Sequence, residues 1–277
     1  MSDATQSETV ATNLVDRHYE SVMTNGDVLR IPDRSNPAVR IKTEDSVATW
    51  ANITETQQSI TINRQAYCAF LVEDIAELQS SWNVRQSYTE SAGYSLTAFI
   101  EGDLTSGLAS LPSGFSQAVG VLGVDPADDD FLRAVQYLDD GDVPRTDRFI
   151  LASPAMHIAF LKMDKFQRED YVGADKSRSA VLEARVGRAY GAPVYVSSLV
   201  NNNPAAANQS IGWFCHKRGV ALIQQRRPTP HIDYVILSVG TGVLVDTIYQ
   251  FAERLIAPST LGGGTSDDRF NCGINSS

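Results

Sequence analysis

The residues of this chain whose types could do chemistry are four histidines (His18, His157, His216, His231), three cysteines (Cys68, Cys215, Cys272) and an acidic run at Asp128, Asp129 and Asp130. Hydrolytic, nucleophilic or metal chemistry needs such groups at spacings that let them converge. The histidines show no ligand spacing, and neither HExxH nor GxSxG occurs. Cys215 and His216 are sequence neighbours, and neighbours in an extended chain point apart, so a thiolate–imidazole pair is not predicted. His157 lies in an apolar segment and reads as a core or edge residue rather than a base. Acid in a first helical turn complements the helix dipole, which explains the aspartates more simply than a metal site. The glycine clusters, Ser238-Val-Gly-Thr-Gly242 and Leu261-Gly-Gly-Gly-Thr265, do not match a phosphate-binding loop and read as turn and tail. The residues therefore predict no catalytic group, no cofactor site and no metal site.

Composition bounds the rest. At 277 residues, 43% apolar and 20% charged, the chain has the make-up of a folded protein with one large core or two modest ones. No apolar run approaches the length of a membrane span, and the first residues have neither the basic nor the apolar region of a secretory signal. The cysteines are scattered without a CxxC pair, which argues against a disulfide framework or a cysteine zinc site and fits a reducing cytoplasm. Cys68 sits in a strand-like apolar run as a small core residue. A net charge of −10 disfavours a protein whose main work is gripping nucleic acid, and the densest basic cluster, Arg226-Arg227 with Lys217 and Arg218, is too small for a groove.

The elements that must organise these residues centre on Glu73 to Leu108. Ile75, Leu78, Trp82, Tyr88, Ala92, Leu96, Phe99 or Ile100, Leu104 and Leu108 recur mostly at steps of three and four, one apolar stripe at the helical period. The stripe breaks after Trp82, and Asn83 with Gln86 three residues on is a helix N-terminus signature. A short helix over 73–81 and a long one over 84–106 are predicted, ended by Gly107 and Pro112. Arg85, Glu90, Ser91, Ser95 and Glu101 make the opposite, polar face. An ordinary amphipathic helix on a sheet has the same pattern, so the stripe alone assigns no function.

Upstream, residues 1–37 are polar, with turn residues at Asn25-Gly26, Pro32-Asp33 and Asn36-Pro37. Leu14, Val15, His18, Tyr19, Val22 and Met23 predict one short amphipathic helix with nothing local to pack on, so its apolar face needs another part of the fold or another subunit. Val39–Thr43 and Ser59–Asn63 alternate as strands of a two-stranded excursion, with Trp50 and Ile53 in the polar segment between. A lone hairpin is marginal in water, which again asks for a neighbour.

Downstream, Ala66–Val72 reads as a buried strand. Asp125-Pro126 opens a helix, Arg148–Ala152 is a buried strand, and Ser153-Pro154 caps a helix over 154–163. Ser179–Arg188 and Val194–Ser197 read as strands before a polar loop over 201–210. Residues 211–225 are a mixed apolar segment. Tyr234–Val239 and Val243–Tyr249 are strands around Gly240-Thr241-Gly242, and the chain from Gly262 reads as a mobile tail.

The order of polar arm, two-stranded loop, buried strand, spine helix, α/β insertion and returning strands resembles the major capsid proteins of tailed phages, the Hong Kong 97 type fold. The resemblance rests on Thr61-Ile62-Asn63 through Phe70-Leu71-Val72-Glu73-Asp74, then Trp82-Asn83-Val84-Arg85-Gln86-Ser87-Tyr88. It is similar there to the loop-to-spine passage of capsid proteins from podovirus-type and marine phages. Arg148–Met163 and Gly187-Arg188-Ala189-Tyr190-Gly191-Ala192-Pro193-Val194-Tyr195-Val196-Ser197 look like the axial-domain core of the same proteins. Together these stretches cover the middle half of the chain, and the C-terminal third matches in layout alone.

The resemblance implies an α+β fold with an N-terminal arm over 1–37 and an extended loop over 38–65. A peripheral domain with the spine helix would take 66–120 and 230–262, an axial domain 121–229, and a flexible tail 263–277. It implies a non-enzymatic subunit that closes into pentamers and hexamers around the double-stranded DNA of a tailed phage, assembled in the host cytoplasm and found in the virion. A separate scaffolding protein, a portal and a decoration protein would be its partners, with packaged DNA touched only non-specifically. Contacts between subunits are expected at Trp50, Ile53, Leu14 and Tyr19, Trp50 because an indole on a polar loop is costly to leave wet. An encapsulin-type shell around a cargo enzyme, and a soluble α/β enzyme using residues 125–130, are the alternative readings.

Overall fold

A computed structural model describes residues 9–23, 25–34, 39–48, 50, 55–79, 84–110, 118–121, 123–163, 187–200, 210–253 and 271–276. The chain opens with a single helical turn, α1 (Ala11–Leu14), and a 3-10 turn at His18–Ser21. Strands β1 (Val28–Arg34) and β2 (Glu55–Thr61) pair antiparallel as a two-stranded ribbon. Strand β3 (Arg64–Glu73) leads through α2 (Asp74–Gln79) to α3 (Val84–Ser110). Next come β4 (Ala118–Val119), α4 (Asp128–Asp140), β5 (Arg148–Ala152) and α5 (Pro154–Lys162). Strands β6 (Arg188–Ala189), β7 (Ala192–Val196), β8 (Ser210–His216), β9 (Val220–Val235), β10 (Gly240–Glu253) and β11 (Asn271–Ser276) complete the described chain.

Two further sheets carry the fold. One is antiparallel in the order β3-β10-β9, and the other is mixed, in the order β4-β11-β8-β5-β7-β6. Helix α3 is 27 residues long, about 40 Å at 1.5 Å per residue, and it joins them. Its i, i+4 row Ala92, Leu96, Ile100 and Leu104 is buried. Ala92 and Leu96 pack on Val243 and Val245, with Ala66, Cys68 and Phe70 alongside. Ile100 and Leu104 pack with Phe149, Leu151, Trp213, Cys215 and Tyr249, so the same helix lies across both sheets.

Alternation along β5 explains why all five of its side chains are buried. Phe149 and Leu151 face the α3 side, while Ile150 and Ala152 face a second core with Phe131 and Leu138 of α4 and Met156 and Phe160 of α5. Ser153 caps α5 by accepting from the Met156 amide at 3.2 Å, with Pro154 in the first turn, as the sequence predicts.

Several expectations are corrected. The ribbon uses Val28–Arg34, not Val39–Thr43, opposite β2. Leu29 and Ile31 supply its inward face and pack with Ile60, Ile62 and Ile223. Pro32, read from sequence as a turn residue, sits in a two-stranded ribbon, where a missing amide is tolerated. Helix α4 begins at Asp128 rather than at Asp125-Pro126: Asp130 accepts from the Ala127 amide at 2.9 Å, and Asp125 pairs with Lys162 at 2.6 Å. Glycines 240 and 242 lie within β10, and the turn is at Ile236–Ser238 with Val239 at a φ of 45°. A Cβ on Gly240 would stand 2.6 Å from the Val72 carbonyl oxygen, which accounts for glycine there.

Within the expected flexible tail over 263–277, an ordered strand is found. Residues 271–276 form β11, paired with β8 and β4, with Cys272 and Ile274 buried against α4 and α5. The N-terminal segment is two short turns rather than one helix, and it finds its partners within the chain. Ala11 and Val15 enter the α3 core, and Met23 enters the ribbon core. Helix α3 does not stop at Gly107. Ile75 and Leu78 on α2, and Tyr88 and Phe99 on α3, all of the predicted stripe, are exposed, and Glu101 of the predicted polar face is buried. Ile53, Trp82, Asn83, the loop over 201–209 and most of the strand expected over 179–188 lie outside the described residues.

Candidate assembly surfaces

No group of three or more His, Cys, Asp or Glu is placed to hold a metal ion among the described residues. The acidic run is used locally: Asp129 pairs with Arg133 at 2.9 Å, Asp130 caps α4, and Asp128 accepts from the Tyr190 hydroxyl. Burial, joined by that bond to Asp128, pushes the Tyr190 hydroxyl well above the usual tyrosine range. Burial pulls His157 and His216 below the usual imidazole value, which suits neutral packed side chains.

Polar groups inside the fold tie its layers together. The Asp246 carboxylate is buried under the outer face of the β3-β10-β9 sheet. It accepts from Arg226 at 3.0 Å and Gln65 at 3.1 Å, and lies 3.1 Å from His231. Burial alone would raise its pKa, yet those donors outweigh it and hold the group below the usual carboxylate range. Arg64 of β3 and Tyr249 of β10 both reach Asp103 of α3, which keeps the guanidinium charged. In α4, Asp139 takes Arg148 at 2.7 Å and Arg145 at 2.8 Å. These bonds tie strands and helices of the fold to one another.

The apolar surface is the more telling feature. Between the ribbon strands, Val39, Ile41, Val47 and Trp50 are each more than 90% exposed. A chain that leaves four large apolar side chains in water on one loop carries a patch that assembly can cover. A second exposed group gathers at the far end of the sheet, where Ile236, Leu237 and Val239 project from the turn joining β9 to β10. Ile75 and Leu78 of α2 are exposed as well. Sequence reading assigned 236–239 to a strand, because Ile236, Leu237 and Val239 are strand-forming types.

Of the expected contact residues, Trp50 is 92% exposed. Leu14 is partly buried against the α3 core and Tyr19 against the ribbon core, so both have partners within the chain. Ile53 falls outside the described residues.

No protein-family model matches the sequence, and no curated protein matches it. Solved structures do. A chain of Mycobacterium phage Che8 superposes at a TM-score of 0.76 with 18% identity, over 97% of this chain and 91% of that one. The capsid structure of cyanophage P-SCSP1u gives 0.74 at 15% identity, over 98% and 89%. The head structure of the Helicobacter pylori bacteriophage KHP40 gives 0.72 at 12% identity, over 90% and 85%. The chain has the α+β fold of tailed-phage capsid structures.

Proposed function

We propose that this chain is a major capsid protein, a structural subunit that assembles with copies of itself into the icosahedral shell of a tailed phage. The observation that carries the reading is the superposition on the capsid structure of cyanophage P-SCSP1u over 98% of this chain. The exposed loop between β1 and β2 supports it, since a monomer has no use for four apolar side chains held in water.

Under this reading the ribbon and its loop are the extended arm that reaches a neighbouring subunit. The β3-β10-β9 sheet with α3 is the peripheral domain, and the six-stranded sheet with α4 and α5 is the axial domain. Heterologous contacts of one patch with a different patch on the next copy close rings and then a shell. Trp50 is the side chain we assign to that contact. A net charge of −10 suits an inner wall along which packaged DNA slides without being held. A separate scaffolding protein, a portal and a decoration protein complete the proposed set of partners, with assembly in the host cytoplasm.

Electron microscopy of the protein expressed alone and together with the neighbouring open reading frames tests the proposal. Closed shells of uniform size are expected. A uniform small oligomer under every condition, with no shells or sheets, overturns it.

A further inference from the structure

The chain contains a single Asn-Gly pair, Asn25-Gly26, and the fold holds the backbone on both sides of it while leaving the pair itself uncovered. On one side Met23 is buried in the ribbon core. On the other, the Gly26 carbonyl accepts from the Gln225 side chain of β9 at 3.0 Å and the Asp27 carbonyl from the Ile62 amide at 2.8 Å, and β1 starts at Val28. Between these anchors Asn25 and Gly26 are exposed. Neither the Asn25 side chain nor the Gly26 amide has a hydrogen-bond partner among the described residues. Gly26 has a φ of +103°, which glycine adopts without strain, and a Cβ built there would meet nothing within 4 Å. No side chain, its own or a neighbour's, stands beside its Cα to crowd the approach of its nitrogen to the Asn25 side chain.

We infer that Asn25 is a self-modification site, where the chain converts asparagine to aspartate and isoaspartate without an enzyme. Hydroxide takes the proton of the Gly26 amide, which no hydrogen bond holds, and the nitrogen attacks Cγ of Asn25. The N–Cγ bond forms and the Cγ–Nδ2 bond breaks, and Nδ2 takes a proton from water and leaves as ammonia. The product is a five-membered succinimide, and water then adds to one of its two carbonyls. Opening at Cγ gives aspartate. Opening at the backbone carbonyl gives isoaspartate, whose main chain runs through the side-chain carbon and is one methylene longer. Nothing is oxidised or reduced, and water and hydroxide are the only co-reactants. Either product adds a negative charge to an already acidic chain. Isoaspartate also adds backbone length between buried Met23 and the Gly26 carbonyl held by Gln225. One of those anchors must then yield, so the modification loosens the seating of the ribbon on β9.

Ageing of the full chain at mildly alkaline pH, followed by digestion and mass spectrometry of the peptides, tests the site. Asn13 and Asn63 serve as internal references, because both are exposed and are followed by Leu14 and Arg64 instead of glycine. The Asn25 peptide is expected to gain the mass of amide-to-acid conversion at least tenfold faster than the peptides of Asn13 and Asn63, and faster still as the pH is raised. Isoaspartate, counted by methyl transfer from a protein isoaspartyl methyltransferase, is expected to accumulate in the unmodified protein and to be absent at this position in Asn25→Gln, whose longer side chain closes the ring poorly. The aged protein is expected to unfold at lower urea than fresh protein, while aged Asn25→Gln keeps its midpoint. Conversion at Asn25 no faster than at Asn13 and Asn63 overturns the site. Conversion at Asn25 with an unchanged midpoint overturns its effect on the ribbon.

Discussion

Ser197 donates its hydroxyl hydrogen to Glu101 across 2.9 Å, a bond between the turn after β7 and the middle of α3. One helical turn on, the Thr105 hydroxyl lies 3.1 Å from the Leu199 carbonyl oxygen and shares its hydrogen between that oxygen and the Glu101 and Gly102 carbonyls of its own helix, at 3.0 and 3.1 Å. The two bonds fix α3 to the six-stranded sheet at the point where Ile100 and Leu104 enter its core. Glu101 is fully buried. Removing its donor leaves a polar group unmet in the interior, which costs about 1–3 kcal/mol. Ser197→Ala is therefore expected to lower the urea midpoint of the unassembled subunit, while Glu101→Gln, which keeps an oxygen for Ser197, lowers it less. Equal midpoints for Ser197→Ala and the unmodified protein would show that the bond contributes nothing.

Asp139 carries a pH dependence whose sign is fixed by its partners. The hydrogen bond from Arg148, aided by Arg145, holds its carboxyl below the usual carboxylate range despite partial burial. A depressed pKa in the folded state means stability that is present above the unfolded pKa and lost as pH falls through the folded one. Asp139→Asn is expected to be less stable than the unmodified protein at pH 7. That gap should close as the pH is taken below about 4, where the free carboxylate protonates. Thermal melts of both proteins across that range check it, and a gap that stays constant with pH rules the coupling out.

What could be read from the sequence follows physical lines. β5, α5 with its Ser153 cap, and α3 with its buried row declare themselves through local pattern, because propensity, capping and period agree there. The ribbon misled because Pro32-Asp33 is turn chemistry inside a strand; only pairing with β2, supplied by the tertiary fold, overrides it. Glu101 misled because a carboxylate at a buried helix position is explained by Ser197, 96 residues away. β11 could not be seen at all: Asn-Cys-Gly-Ile-Asn-Ser has two apolar side chains, and their burial depends on a slot between β4 and β8 that no local pattern announces. Trp50 reads from sequence as an indole on a polar loop and is exposed in the subunit, whereas the Ile236–Val239 turn was hidden in what reads as strand.

The slot makes β11 a stability element despite its place near the end of the chain. Ile274 is fully buried between α4 and the sheet. Truncating a buried isoleucine to alanine costs about 2–5 kcal/mol through lost burial and the cavity left behind. Ile274→Ala should lower the unfolding free energy by that amount, read from the urea midpoint. An unchanged midpoint for Ile274→Ala would mean that β11 is not docked in solution.

Trp50 links the proposed assembly to a direct optical reading. It is 92% exposed, whereas Trp213 is buried in the core of the subunit. Burying an exposed indole at a subunit contact shifts its emission to shorter wavelength, and Trp213 has no comparable change to make. Aromatic anchors at the centre of a contact are each worth about 2 kcal/mol or more. In a Trp82→Phe background, which removes the third indole of the chain, assembly is therefore expected to bring a blue shift and protection from a soluble quencher, both lost when Trp50→Phe is added. Trp50→Ala should raise the protein concentration needed for shell formation or lower the temperature at which shells fall apart. If Trp50→Ala shells match the unmodified ones in both respects, and the emission does not move on assembly, the indole stays in water and the loop makes its contact through Val39, Ile41 and Val47 instead.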